Sequence, residues 1–229
     1  MATTALIVGA GSGLSASLAR LFAKEGFTVV LAARQIEKLT QLSTEIGAVS
    51  FAADVSKPDE VERLFIDIDN KIGSPNVVVY NPSFRVRGSL VDLDPAEVAQ
   101  TLDITAYGGF LVAQAATKRF LRLGGGAIFF TGASASIKGY PLSAPFAMGK
   151  FALRGLAQSI ARELAPKNIH VAHFVIDGAI RSAVRQDPLD NPDSTLDPDA
   201  IAQTYLSILR QPRSAWTYEV ELRPWVENF

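Results

Sequence analysis

Gly9, Gly11, Ser12 and Gly13 crowd together directly after a short apolar run, and Leu14 opens a helical pattern directly after them. A glycine turn between strand and helix lets the backbone approach a pyrophosphate closely, and the helix start adds free N–H groups and a positive dipole end. That is the chemistry of dinucleotide binding. The second apolar strand ends in Ala33-Arg34. A carboxylate there would accept from a ribose 2′-OH, whereas an arginine offers two parallel N–H donors to a 2′-phosphate. The expected cofactor is therefore NADP(H) in preference to NAD(H). The chain has no cysteine, and its histidines, His170 and His173, share one apolar run away from any acidic cluster. Disulfides and thiolate chemistry are excluded, and no metal site is expected.

The elements that must position these residues alternate along the chain. Apolar, branched runs predict strands at Thr4–Gly9, Phe27–Ala33, Val49–Ala53, Asn76–Tyr80, Ala127–Thr131, Ile169–Ile176 and Thr217–Leu222. Helical spacing predicts helices over Leu14–Glu25, Gln35–Ile46, Pro58–Ile72, Pro95–Leu123, Ser143–Ala165 and Asp199–Arg210. Between the last strands, Asp187–Asp199 is a loop by composition. Strands alternating with helices of this length predict an α/β doubly wound Rossmann fold, a seven-stranded, mainly parallel sheet with helices on both faces. One domain spanning residues 1–229 accounts for the length. A net charge of -1 with scattered lysines and arginines gives no field for nucleic acid or an anionic membrane. No run approaches the ~18 apolar residues of a membrane span, so a cytoplasmic protein is expected.

Several stretches together resemble the short-chain dehydrogenase/reductase family, from Thr4 to about Ser182 and more loosely beyond. The opening turn is similar to the family's Gly-x-x-x-Gly-x-Gly, with Ser15 at the last glycine. Asp54-Val55 matches the pair that holds adenine. Tyr80-Asn81-Pro82-Ser83 looks like a divergent Asn-Asn-Ala-Gly, keeping Asn81. Gly178-Ala179-Ile180-Arg181-Ser182 is similar to the stretch where Ile180 and Ser182 would meet the nicotinamide carboxamide. The resemblance implies hydride transfer between nicotinamide and a carbonyl carbon.

At the implied catalytic positions the pattern breaks. The family's Tyr-x-x-x-Lys reads Phe146-Ala147-Met148-Gly149-Lys150, so Lys150 is kept and the tyrosine hydroxyl is not. The implied serine position falls on Ala133 and the asparagine position on Thr105. Ser134, Ser136, Tyr140, Tyr107 and Asp177 are the candidates for a substitute proton donor, each with a structural role as the alternative, and Asp177 would act through a carboxyl pKa raised by burial. Lys150 would still grip the nicotinamide ribose.

Three functions stay open: an NADPH-dependent oxidoreductase acting on a small carbonyl, enone or imine with a non-standard proton donor; a lyase, isomerase or cyclase on the same scaffold; and a silent NADP(H)-binding protein. The substrate pocket is expected to be walled by Ser83–Arg87, Ser134–Phe146 and Arg181–Leu196, and to be mostly apolar through Phe84, Tyr140, Leu142, Phe146 and Val184; Arg85 and Arg87 are either a pair that attracts an anionic group or, more commonly for such residues, exposed loop arginines. A homodimer or homotetramer through the two long helices is implied by the resemblance. The aromatic tail Leu222–Phe229 is expected to pack on a neighbouring subunit or on its own domain.

Overall fold

The computed structural model of the chain describes residues 3–227. Seven strands form one sheet: β1 (Thr4–Val8), β2 (Thr28–Ala33), β3 (Val49–Ala52), β4 (Val77–Tyr80), β5 (Gly126–Thr131), β6 (Ile169–Ile176) and β7 (Glu219–Leu222). Their order is β3-β2-β1-β4-β5-β6-β7, and every pairing is parallel. This is the doubly wound Rossmann arrangement expected from the alternation. The chain runs outward from β1 to β3, then crosses back to place β4 on the other side of β1. That reversal opens a crevice beyond the C-terminal ends of β1 and β4.

Seven α-helices cover the sheet: α1 (Leu14–Lys24), α2 (Thr40–Ile46), α3 (Pro58–Lys71), α4 (Pro95–Leu102), α5 (Gly108–Leu123), α6 (Ala144–Leu164) and α7 (Pro198–Leu209). Central strands are apolar on both faces because both are covered; β1 and β6 are buried throughout. Alternate side chains feed two cores. Leu6, Val8, Phe65, Tyr80, Phe120, Phe130 and Leu153 meet on the side of α3, α5 and α6. Ile7, Phe22, Leu31, Phe129, Phe174 and Tyr205 meet on the side of α1 and α7.

Two expected helices are not single regular helices. The Pro95–Leu123 segment contains a π turn at Asp103–Tyr107 between α4 and α5. There the buried Tyr80 hydroxyl donates to the Ile104 carbonyl, and Gly108 lies so close to Tyr80 that an added Cβ would stand 2.6 Å from its hydroxyl. Periodicity alone does not register that contact, since Tyr80 is distant in sequence. Gln35–Ile46 begins as a 3₁₀ turn, Ile36–Leu39, before α2. Thr40 Oγ1 donates to the Glu37 carbonyl at 2.9 Å, the side-chain competition that disturbs regular helix starts.

The composition-defined loop is also ordered. Asp187 accepts hydrogen bonds from the Thr195 and Asp193 amides at 2.8 and 3.1 Å, and Arg181 pairs with both Asp187 and Asp197. In the tail, Pro224 packs against Gly178, Arg223 pairs with Asp177, and Trp225 donates to the Pro192 carbonyl while remaining 73% exposed. The described part of the tail thus lies on its own chain; Phe229 falls outside the described residues. No described helix is long and apolar enough to cross a membrane.

Candidate active site

Two cavities occupy the crevice, about 670 and 360 Å³, and Asn81 and Ser83 line both, so they form one cleft. The larger is lined by Gly9, Gly11, Ser12, Arg34, Asp54 and Val55, among others. β1 ends at Val8 rather than Gly9, because Gly9 takes φ +75° and begins the turn. An added Cβ on Gly9 would meet Pro82 at 2.7 Å, so the first turn and the loop after β4 approach each other backbone to backbone. Gly11 and Gly13 face open space. Gly13 is the N-cap of α1 and supplies no side-chain cap, so the helix leaves first-turn N–H groups available to a ligand. These features fit a bound pyrophosphate.

Ser15 ties this turn together. Its hydroxyl donates to the Gly9 carbonyl at 3.0 Å and accepts from Asn81 Nδ2 at 2.7 Å. Asp54 accepts from the Ser56 amide and hydroxyl at 3.0 and 2.7 Å. Burial pushes its carboxyl up, but those bonds and the charges of Arg34 and Lys57 outweigh burial and hold it below the usual range. Lys38, in the 3₁₀ turn Ile36–Leu39 that follows β2, lines the same cavity. Neither cation has a carboxylate partner among the described residues. The sequence reading missed Lys38, because Arg34 directly follows β2 while Lys38 sits in the 3₁₀ turn beyond it, and only the fold brings both to one cavity.

The smaller cavity is lined by Leu14, Thr131, Ala133, Ser134, Tyr140, Ser143, Phe146, Lys150, Gly178 and Ile180, with Arg85 at its wall. Lys150 projects from α6 and is 3% exposed. Its ammonium donates to the Thr131 carbonyl at 2.7 Å and lies 5.9 Å from the centre of the Phe146 ring. Burial pushes its pKa down to about 8. Arg85 covers the Phe146 ring, with its guanidinium carbon 5.2 Å from the ring centre.

Other expected site residues stand apart. Gly13 and Ser182 line neither cavity; Ser182 is engaged with Arg185 through its backbone. Ser136 is fully buried, and its hydroxyl accepts from the Ala133 amide at 3.1 Å. Asp177 is buried, lines neither cavity, and pairs with Lys138 at 3.2 Å and Arg223 at 3.6 Å. Burial acts to raise its pKa as expected, but bonds from Ser134 and Lys138 and the two cations outweigh it. Asp177 is therefore held ionised, which removes the basis for expecting a neutral acid. Thr105 is buried in the π turn, accepting weakly from the Phe84 amide at 3.4 Å. Phe84 packs into the core, while Leu142 and Val184 are exposed at 53% and 97%. The pocket is consequently more polar than its apolar composition suggested.

Ser143 falls within the expected wall segment Ser134–Phe146 but was not singled out there. It lies on the cavity wall three residues before Phe146 and seven before Lys150, a spacing that shares one helix face. His173, buried on β6, bonds Glu219 Oε2 through Nδ1 at 2.9 Å, and Glu219 also takes Arg154 at 2.7 Å. No group of three or more His, Asp or Glu side chains suited to a metal occurs among the described residues.

A family model described as short chain dehydrogenase matches residues 3–191. A short-chain dehydrogenase from Rhodopseudomonas palustris is 36% identical, with a TM-score of 0.85 over 97% of this chain and 99% of its own. A metagenomic short-chain oxidoreductase solved in complex with NADP is 26% identical, with a TM-score of 0.85 over 97% of each chain. Carbonyl reductase family member 4 of Xenopus laevis is 26% identical over 220 residues, 93% of each chain. With its family match running from β1 to well beyond Gly178, this chain belongs to the short chain dehydrogenase family of oxidoreductases.

Proposed function

We propose that the protein is an NADPH-dependent reductase of small carbonyl, enone or imine substrates, in which Lys150 rather than a tyrosine delivers the proton. The observation that carries this reading is the single cleft running from the glycine turn to the buried ammonium of Lys150. The cofactor supplies the hydride when bound. The amides at Gly11, Ser12 and the start of α1 receive the pyrophosphate, and Leu14 lines the smaller cavity beside it. Arg34 and Lys38 take the 2′-phosphate, which selects NADPH over NADH. Asp54 and Val55 hold adenine, Asn81 forms the floor, and Gly178 and Ile180 border the nicotinamide.

Phe146 occupies the tyrosine position of the family pattern and has no proton to give. An ammonium has three N–H donors; one of Lys150's goes to Thr131. The other two are available to the nicotinamide ribose and to the substrate oxygen. A general acid works best with a pKa near the working pH, and Lys150 at about 8 meets that condition. Ser134 lines the same cavity, but its hydroxyl interacts with the Asp177 carboxylate, so its proton is committed there rather than to the substrate oxygen. Tyr140, 46% exposed at the cavity, is the second candidate donor. Tyr107, Phe110, Met148 and Phe151 are exposed apolar residues on or beside α5 and α6; their exposure supports a homodimer or homotetramer built on those helices.

The test is NADPH consumption across a carbonyl, enone and imine panel, with product analysis. The proposal expects matched loss of NADPH and appearance of reduced product. Product without NADPH loss would instead favour a lyase, isomerase or cyclase. Tight NADPH binding without any turnover would favour a silent binding protein.

A further inference from the structure

The smaller cavity has a charge pattern that the reduction reaction by itself does not require. Its charged lining residues are Arg85 and Lys150, and no aspartate or glutamate lines it. Arg85 has no carboxylate within ion-pair distance among the described residues. It is held instead over the Phe146 ring, a contact that fixes a guanidinium plane while leaving its N–H edge open. The loop carrying Arg85 is tied down nearby, where the Gly88 amide donates to the Leu142 carbonyl at 3.1 Å. Leu142 has φ +60°, a left-handed conformation that a branched residue adopts at a cost. The strained turn sets Ser143 on the cavity wall. The Ser143 hydroxyl is buried and has no hydrogen-bond partner. It does not cap α6. A buried hydroxyl without a partner is uncommon, and a serine hydroxyl reorients by rotation about χ1 alone.

We infer that Arg85 and Ser143 form an oxyanion subsite, so that the substrate is a small carbonyl compound bearing a carboxylate. The inference rests on the reductase reading and narrows its substrate class. A cationic iminium would meet two like charges here, whereas a carboxylate meets a bidentate guanidinium and a hydroxyl donor. Phe146 then serves as the platform that orients Arg85, a use for a ring without a hydroxyl.

The experiment is calorimetric titration of NADP⁺-saturated protein, which binds without turning over. The probes are pyruvate, levulinate and benzoylformate, each paired with its methyl ester. At least one carboxylate is expected to bind about tenfold or more tighter than its ester, the scale of a charge-assisted bidentate contact. Arg85→Met should abolish that preference, and Ser143→Ala should weaken carboxylate binding several-fold, with NADP⁺ affinity unchanged in both. Arg87→Met, on the same loop but off the cavity lining, should keep the preference. Esters binding as tightly as acids, no carboxylate binding to the wild type, or a preference surviving Arg85→Met would each overturn the subsite. Failure of NADP⁺ itself to bind would count against the reductase reading instead, and the same titrations on the free protein would still read Arg85.

Discussion

Asn81 Nδ2 donates to the Ser15 hydroxyl at 2.7 Å, joining the loop after β4 to the first turn of α1. Ser15 passes the restraint on to the Gly9 carbonyl. A glycine at position 15 would provide neither bond. Ser15→Ala should therefore remove both bonds from half-buried partners, costing about 1 kcal/mol. Urea denaturation checks the stability. The same variant should weaken NADPH binding, because the turn loses its brace; an unchanged dissociation constant would show that the brace is dispensable for the cofactor.

Arg34 and Lys38 flank the far end of the larger cavity without carboxylate partners among the described residues. Arg34→Ala is expected to reduce the preference for NADPH over NADH by at least tenfold, about 1.4 kcal/mol. Lys38→Ala should have a smaller effect in the same direction. Fluorescence titration with both cofactors measures the ratio, and equal losses for the two would refute a 2′-phosphate role.

In the proposed mechanism Lys150 is the acid, with burial lowering its pKa to about 8. The rate should fall as pH rises through that value, when the ammonium gives up its proton. Lys150→Met should lower kcat by about 10²–10⁴-fold, the range for a positioned general acid. Phe146→Tyr should raise carbonyl reduction at least about tenfold by adding a second acid to the cavity. A pH profile with no descending limb near 8 in the wild type would count against Lys150 as donor.

The same burial gives Lys150 a stability signature. Its pKa is depressed from 10.5 to about 8, so between those values the unfolded chain binds the proton that the folded chain has lost. Stability from this group must rise with pH across that interval. Lys150→Met removes the buried charge and should raise the melting temperature at neutral pH while lowering activity. A variant less stable than the parent at pH 7 would show that the bond to Thr131 outweighs the desolvation of the ammonium.

His173 predicts sensitivity at the acid end. Burial is the main cause that depresses its pKa from 6.5 to about 4, against the opposing pull of Glu219. Unfolded histidine takes up a proton first as pH falls, so its contribution is full above about 6.5 and disappears on the way to 4. Chemical denaturation should show falling stability across that window, and His173→Leu should flatten it.

The sequence by itself determined the sheet, because runs such as Thr4–Val8 and Ile169–Ile176 have one stable use, burial on both faces. The grouping of Gly9, Arg34 and Asp54 around one cavity was equally legible. Gly9, Arg34 and Asp54 lie at strand ends, and a strand end in a doubly wound fold has a known place relative to the crevice. Lys150 and Phe146 were legible as a pair by their spacing on one helix. The tertiary structure decided the state of the groups around them. Asp177 was read as a candidate acid on burial alone, and only the fold brings Lys138 and Arg223 to it from distant segments. Ser134 and Ser136 are near neighbours in sequence, yet one lines the cavity and the other is spent on the Ala133 amide. Arg85 was legible as one of two arginines able to attract an anion, but only the fold packs it over Phe146 and leaves Ser143 beside the same cavity without a partner. Local pattern fixes which residues face inward, because period and burial are properties of a segment. Charge state and hydrogen-bond satisfaction are properties of what comes to face a group across the fold, and one segment does not contain that information.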